Sequence, residues 1–200
     1  MKSFVLSGVA AFALSMTAAF AAPTIGEPAP AFSAIDTAGK TRSLAEFNGK
    51  TVVLEWTNDG CPYVKKHYGA GNMQKLQQEA AAGGVVWLSI ISSAPGKQGY
   101  VDAAGANQLT SSRGAKPAAV LLDPKGDIGR AYDAQTTPHM FVIDKAGALR
   151  YMGAIDDQPS TEAATIPKAR NYVREALAAV AAGGKVAETA TDPYGCSVKY

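Results

Sequence analysis

The side chain best suited to covalent chemistry in this chain is the thiol of Cys61, which precedes Pro62. The apolar run 51–57 before it predicts a strand, and the residues after it have helical spacing. A helix N-terminus directs unpaired backbone N–H groups and the positive end of the helix dipole at such a sulfur, which favours the thiolate. Because the thiolate is the nucleophilic form, we predict a redox-active thiol. A buried structural cysteine is the alternative.

The second of the two cysteines, Cys196, lies in the C-terminal segment 192–200. Two cysteines are too few for a disulfide scaffold, so their reactivity is the relevant question. In one interpretation Cys61 is oxidised to a sulfenic acid, Cys196 resolves it, and an external donor reduces the resulting disulfide. In another, a permanent Cys61–Cys196 disulfide fixes the tail to the domain and adds about 4–5 kcal/mol to the free energy of unfolding in the chain-entropy model. An intermolecular bridge through Cys196 is the third.

Two ionisable residues near Cys61 are expected to influence its ionisation. Lys65 is four residues after Cys61 and shares its helical face, where an ammonium group stabilises a thiolate. An ordinary solvated lysine is the alternative. Glu55 lies inside the apolar run, where desolvation raises the pKa of a carboxyl group towards the range useful for proton transfer. A salt bridge to a lysine is the alternative for Glu55.

The two histidines, His67 and His139, could join the cysteines in a metal site, for which copper is the best candidate. Their spacing matches no compact ligand motif, and His67 lies on a different helical face from Cys61. We therefore expect neither a metal nor a cofactor.

The first 21 residues have the features of a secretory signal peptide. They contain one lysine, Lys2, an apolar stretch over 4–16, and the small-x-small sequence Ala19-Phe20-Ala21 before Pro23. We expect cleavage near Ala21 and a periplasmic or secreted location. No later apolar run is long enough for a membrane helix.

The remaining chain is expected to form one folded domain over 22–184, followed by a polar tail over 185–200 that carries Cys196. Residues 1–21 hold one basic and no acidic residue, which leaves 18 Lys and Arg against 17 Asp and Glu in the rest of the chain. A nucleic-acid or anionic-membrane partner would need a concentrated basic face, so neither is expected.

Strand and helix patterns alternate along this domain. The predicted strands are residues 51–57, 85–92, 118–122, 139–143 and 148–151, preceded by a hairpin over 34–44. The predicted helices are a short one directly after Cys61, then residues 72–82, 100–112 and 166–182, with a helical turn at 127–132. This order predicts an α/β fold with a mixed central sheet flanked by helices, an N-terminal hairpin extension and a C-terminal tail.

Three segments of the sequence resemble the thioredoxin-like superfamily, in its redoxin or peroxiredoxin-like branch (the alkyl hydroperoxide reductase/thiol-specific antioxidant group). They are the opening Gly26–Phe32 with the hairpin and residues 44–54, then Trp56…Cys61-Pro62 at the active-site position, and finally Thr136–Asp144 around the family's cis-proline. The resemblance covers Ile25 to about Val180 and implies a thioredoxin fold.

The resemblance also implies roles for individual residues. Cys61 would be the nucleophile, and the buried acid Glu55 would relay protons to its sulfur. The Thr-Pro peptide of the cis-proline segment would pack beside the active thiol. The residues expected to contact substrate are Trp56, Pro62, Thr137, Pro138 and His139.

Two departures from the family patterns bear on the chemistry. Val64 stands three residues after Cys61, where dithiol enzymes have their second cysteine, so a vicinal disulfide is excluded. Peroxiredoxins carry Pro-x-x-x-Thr-x-x-Cys, but Leu54 and Asn58 occupy the proline and threonine positions here, with Thr57 one residue away. The peroxide-polarising arginine has no counterpart at motif level.

The function we expect is that of an exported, thiol-based oxidoreductase, a peroxiredoxin-like antioxidant protein. Its partners would be a peroxide-type small oxidant and an external thiol reductant or a protein disulfide partner. The alternative is a non-catalytic binding or structural domain of the same fold, with a fixed Cys61–Cys196 disulfide.

Overall fold

The apolar run before Cys61 forms the central strand of a mixed sheet. The computed structural model describes residues 22–200, and the predicted signal peptide over 1–21 lies outside the described residues. The strands are β1 (Ser33–Asp36), β2 (Thr41–Ser43), β3 (Val52–Trp56), β4 (Val86–Ile91), β5 (Ala119–Leu122), β6 (Thr136–Thr137), β7 (His139–Ile143), β8 (Leu149–Gly153) and β9 (Cys196–Ser197). The helices are α1 (Pro62–Gly69), α2 (Asn72–Ala82), α3 (Ala103–Ser112), α4 (Asp127–Ala131) and α5 (Tyr172–Ala181), with 3-10 turns at Leu44–Phe47 and Ala163–Lys168.

Seven strands form the main sheet in the order β2-β1-β5-β4-β3-β7-β8. The strand β3 pairs in parallel with β4 and antiparallel with β7, and all five of its residues are buried. A strand covered on both faces needs no polar alternation, which explains its apolar sequence. The predicted α/β fold with a mixed central sheet is confirmed.

Side chains of successive strand residues point to opposite faces, which divides the interior into two apolar layers. One layer contains Leu54 and Trp56 with Tyr132 and Phe141. The other contains Val53, apolar residues of α1, α2 and α5, and the thiol of Cys61. Cys61 therefore lies in the layer that these helices cover.

The last helix is shorter than the predicted 166–182. Pro167 disfavours the α conformation of the residue before it, and residues 163–168 form a 3-10 turn instead. The helix α5 begins after Asn171, whose side-chain oxygen accepts from the Arg174 N–H at 2.9 Å. This cap satisfies one unpaired donor of the first turn and sets the start of the helix.

The C-terminal tail lies against the edges of the sheet. The Met152 N–H donates to the Thr189 carbonyl and the Thr191 N–H donates to the Met152 carbonyl, each at 3.1 Å. Beyond this bridge, β9 pairs antiparallel with β6. The tail therefore reaches the cis-proline segment.

In the part of the chain that the structure describes, no helix is long and apolar enough to span a membrane.

Candidate active site

A tight turn positions Cys61 at the start of α1. The Cys61 N–H donates to the Asn58 carbonyl at 3.1 Å, and the Asn58 side chain accepts from Gly60 N–H at 2.8 Å and donates to the Gln98 carbonyl at 3.2 Å. Cys61 has extended backbone angles at the N-cap position, and the exposed Pro62 follows at N1. A proline at N1 costs the helix no hydrogen bond, because that N–H has no partner within the helix. Asn58 thus supports the turn rather than contacting the sulfur.

The sulfur of Cys61 is fully buried against the cis-proline segment. Its thiol donates to the carbonyl oxygen of Thr137 at 2.9 Å, and the peptide bond between Thr137 and Pro138 is cis. These two residues therefore lie beside the thiol.

The pairing of β9 with β6 brings Cys196 to the same place. Thr137 and Cys196 are directly opposite in the register, and both cysteines are free. Gly195 makes this approach possible, because a Cβ atom there would lie 2.0 Å from the Thr137 carbonyl oxygen. The Cys196 side chain packs against the apolar layer that contains Cys61.

Opposing effects determine the pKa of Cys61. Burial disfavours the thiolate, whereas the Cys196 thiol and the backbone N–H groups of Val64 and Cys196 donate to it. The donors prevail, and the pKa of Cys61 is lowered. For Cys196, burial and then the hydrogen bond to Cys61 raise the pKa to about 11. Cys61 is consequently the member of the pair that ionises first.

The carboxyl group of Glu55 is fully buried on the same side of the sheet as Cys61. It accepts hydrogen bonds from Tyr68 Oη at 2.7 Å, Trp87 Nε1 at 2.7 Å and Ser89 Oγ at 3.0 Å. Burial nevertheless raises the pKa of Glu55. None of its hydrogen bonds within residues 22–200 goes to Cys61, and no ion pair with a lysine is present there.

The other predicted site residues lie away from the thiol. Trp56 packs on Phe141 with ring centroids 5.1 Å apart, and His139 packs on the same ring at 4.5 Å, in the layer opposite Cys61. Lys65 is exposed and forms no ion pair among the described residues. The structure thus brings together Cys61, Pro62, Thr137, Pro138 and Cys196, and it does not bring Trp56, His139 or Lys65 to the sulfur.

The histidines are engaged in other contacts. Burial lowers the pKa of His67 to about 4 and that of His139 to about 3. Across residues 22–200, no group of three or more His, Cys, Asp and Glu side chains is arranged to hold a metal ion.

The sequence motifs did not identify the contribution of the residues just before Cys196. Gly195 permits the close approach to Thr137, and its signal in the sequence is only its position next to a cysteine. Tyr194 packs on Tyr63 with ring centroids 5.6 Å apart. Neither contact could be inferred without the course of the tail.

Most of the chain matches a known protein family. The sequence model of a family described as Redoxin matches residues 24–172, which include Cys61 and the cis-proline segment but not the tail. No curated protein matches the chain.

Solved structures share the fold. A hypothetical protein from Sinorhizobium meliloti 1021 has a TM-score of 0.75 and 24% identity, with 90% of this chain and 96% of that chain covered. An uncharacterized conserved protein from Geobacillus kaustophilus has a TM-score of 0.75 and 23% identity, covering 88% and 92%. A protein provisionally named thiol:disulfide interchange protein DsbE, from Chlorobium tepidum, has a TM-score of 0.53 and 22% identity, covering 66% and 85%.

Proposed function

Because the chain belongs to the redoxin family of the thioredoxin-like superfamily, we propose that it is an exported thiol-based oxidoreductase. Cys61 is the redox-active thiol and Cys196 is its intramolecular partner. One observation carries the proposal: the β6–β9 pairing places Cys196 directly opposite Thr137, whose carbonyl oxygen accepts from the Cys61 thiol, so both cysteines lie at the cis-proline segment. A thiolate at a helix N-terminus with a second thiol beside it is equipped to form and break a disulfide.

The catalytic cycle begins at the Cys61 thiolate. It attacks a peroxide-type oxidant at one oxygen and releases an alcohol or water after protonation, leaving Cys61 as the sulfenic acid. Cys196 then attacks the Cys61 sulfur, a disulfide forms, and the hydroxyl group leaves as water. An external dithiol reduces this disulfide through a mixed disulfide and is itself oxidised.

Burial of the sulfur supports a small oxidant. Cys61 is fully covered while β9 is in position, so a peroxide can approach more readily than the disulfide of a folded protein. The absence of threonine at position 58 separates this site from ordinary peroxiredoxins, and Asn58 is committed to the turn. We therefore propose peroxiredoxin-like activity supported by Cys196 rather than by the usual motif.

The thiol-alkylation test distinguishes this enzyme from a non-catalytic domain with a fixed disulfide. The purified protein without residues 1–21 is alkylated at pH 6–8, before and after mild reduction, and then treated with one equivalent of hydrogen peroxide. We expect Cys61 to become open to alkylation only after reduction, and both thiols to be lost to a Cys61–Cys196 disulfide after peroxide.

Variants identify the role of each sulfur. Cys196→Ser is expected to accumulate the Cys61 sulfenic acid, trapped with dimedone, and Cys61→Ser is expected not to react with peroxide. A disulfide that resists dithiothreitol, together with no alkylation of Cys61 after reduction and no peroxide turnover, would instead establish the non-catalytic alternative.

We also propose that residues 1–21 are removed on export, leaving a domain over 22–184 and the tail over 185–200. The N-terminal mass of the protein recovered from the periplasm or medium tests this. Recovery of the full-length chain in the cytoplasm would contradict it.

A further inference from the structure

The side chain of Tyr194, two residues before Cys196, packs beside α1, and its hydroxyl group lies among buried polar side chains. Its hydroxyl donates to Asp156 Oδ1 and lies 3.2 Å from His67 Nε2. The Nδ2 atom of Asn72 lies 2.9 Å from His67 Nδ1. An amide N–H donor at Nδ1 leaves the ring proton on Nε2, so that His67 donates to the Tyr194 oxygen while the Tyr194 hydroxyl donates to Asp156. The hydroxyl is thereby satisfied as both donor and acceptor.

The ring of Tyr194 also contacts α1. It packs on Tyr63 of α1, and the Nζ atom of Lys66 lies 5.7 Å from its centroid, in cation–π range. Lys66 is itself buried and donates to the Gln158 carbonyl at 2.9 Å. Two charged groups of opposite sign, Lys66 and Asp156, thus flank one tyrosine.

The main chain of this part of the tail has no comparable support. Thr191 is bonded to Met152, and Cys196 is paired with Thr137, but no backbone hydrogen bond joins residues 192–195 to the rest of the described chain. The side chain of Tyr194 therefore anchors the segment leading into Cys196 to α1.

We infer that Tyr194 is a positioning residue for the Cys61–Cys196 pair, which rests on the redox function proposed above. Through its contacts with Tyr63 of α1 and with Asp156, Tyr194 connects the strand that carries Cys196 to the helix that begins at Cys61. Holding the two thiols in one geometry before they react lowers the entropic cost of closing the disulfide. Tyr194 thereby raises the effective concentration of one thiol at the other.

The test measures the equilibrium constant of the Cys61–Cys196 disulfide in glutathione redox buffers. Tyr194→Phe removes the hydroxyl and keeps the ring, and Tyr194→Ala removes both. We expect the constant to fall about tenfold in Tyr194→Ala, as expected when a contact that raises effective concentration is lost, and to fall by a smaller factor in Tyr194→Phe. The matched control is Tyr132→Phe, which also removes a tyrosine hydroxyl. The Tyr132 hydroxyl donates to the Pro30 carbonyl at 2.7 Å, and this residue lies in the apolar layer opposite the thiols.

The equilibrium constant separates positioning from general stability. A merely structural role destabilises the reduced and oxidised forms alike and leaves the constant unchanged, as expected for Tyr132→Phe. A constant that is unchanged or higher in Tyr194→Phe, a conservative variant expected to fold, would overturn the inference while leaving the proposed function intact. If the unaltered protein forms no Cys61–Cys196 disulfide, the proposed function fails, and the inference fails with it.

Discussion

Cys61 is fully buried, yet its pKa is lowered, because the hydrogen-bond donors around the sulfur outweigh the loss of hydration. One donor comes from Val64 in the first turn of α1, as expected for a helix N-terminus. The others come from Cys196 at the far end of the chain. The residue that stands where dithiol enzymes carry their second cysteine therefore supports the thiolate through its backbone.

At Glu55, burial and hydrogen bonding also act on the pKa in opposite directions, but here burial prevails. Its carboxylate faces only donors, which are Tyr68, Gln77, Trp87 and Ser89, yet burial raises its pKa. Without these donors the buried charge would be far more costly. In this structure the donors make Glu55 the centre of a polar cluster that joins β3, β4, α1 and α2.

Glu55→Gln tests what this cluster contributes to stability. The glutamine amide group would direct N–H donors at partners that are themselves donors, and leave at least one of them unsatisfied. We expect the free energy of unfolding to fall by about 1–3 kcal/mol, the usual cost of a buried unsatisfied polar group. Urea unfolding at pH 7 measures the change. An unchanged or higher stability would mean that desolvation of the carboxylate outweighs its hydrogen bonds.

At the scale of elements, the site joins the N-terminus of α1, the cis-proline segment and β9. The first two are close because β3 and β7 are neighbours in the sheet. The third reaches them only because the tail crosses the edge of β8 and then pairs with β6. The strand β9 therefore acts both as the carrier of Cys196 and as the cover over Cys61.

Gly195→Ala should displace this cover. The added Cβ atom would meet the Thr137 carbonyl oxygen at 2.0 Å, and backbone atoms cannot give way as a flexible side chain can. A clash that costs about 1–3 kcal/mol shifts the opening equilibrium of β9, so we expect Cys61 to be alkylated about tenfold faster. The rate is measured on the reduced protein as a function of pH, by mass spectrometry of the Cys61 peptide, which separates a change in thiol ionisation from a change in access to the sulfur.

Gly183→Ala is the control for this substitution. Gly183 also has a positive φ of 67°, but a Cβ atom there meets nothing within 4 Å. An alanine there strains the backbone but does not displace β9. Cys61 in the Gly183→Ala variant should therefore be alkylated at the same rate as in the unaltered protein. Equal rates in the two variants would mean that β9 does not limit access to the sulfur.

At the scale of the whole molecule, the sheet separates two buried histidines. His139 lies with Phe141 in one layer, and His67 lies on α1 in the other. Burial lowers both pKa values from 6.5, to about 3 and about 4. Each histidine is therefore neutral in the folded protein at pH values where the unfolded chain binds a proton.

The pH dependence of stability follows from this difference. A histidine with a lowered pKa contributes stability that is complete above pH 6.5 and is lost as the pH falls towards the folded value. Well below pH 6.5, each histidine should reduce the free energy of unfolding by about 1.4 kcal/mol per pH unit. We expect urea unfolding between pH 7.5 and 5 to reveal this decline.

His67→Gln isolates one of the two contributions. Glutamine retains a donor and an acceptor but does not titrate, so well below pH 6.5 the slope of the variant should be smaller than that of the unaltered protein by about 1.4 kcal/mol per pH unit. The raised pKa of Glu55 adds a slope of opposite sign in both proteins, which cancels in the comparison. An identical slope in the two proteins would contradict the proton linkage of His67.

Much of the fold could be predicted because local patterns encode local structure. The apolar run of β3, the glycines between α1 and α2, and the hairpin of β7 and β8 each lie within a short stretch of sequence. The start of α5 could not be placed from apolar spacing, because Pro167 and the Asn171 cap override it. For the site, the resemblance placed Thr137 and Pro138 beside the thiol, where they are found.

The sequence by itself determined that Cys61 stands between a strand and a helix, since backbone hydrogen bonding and apolar periodicity act over a few residues. Beyond Thr137 and Pro138, which the resemblance placed beside the thiol, only the tertiary structure decided what surrounds the sulfur. Side-chain alternation along β3 and β7 turns Trp56 and His139 to the opposite layer, and the register of β6 and β9 brings Cys196 to Cys61. Such contacts depend on the packing of segments far apart in the chain, for which neither cysteine carries a local signal.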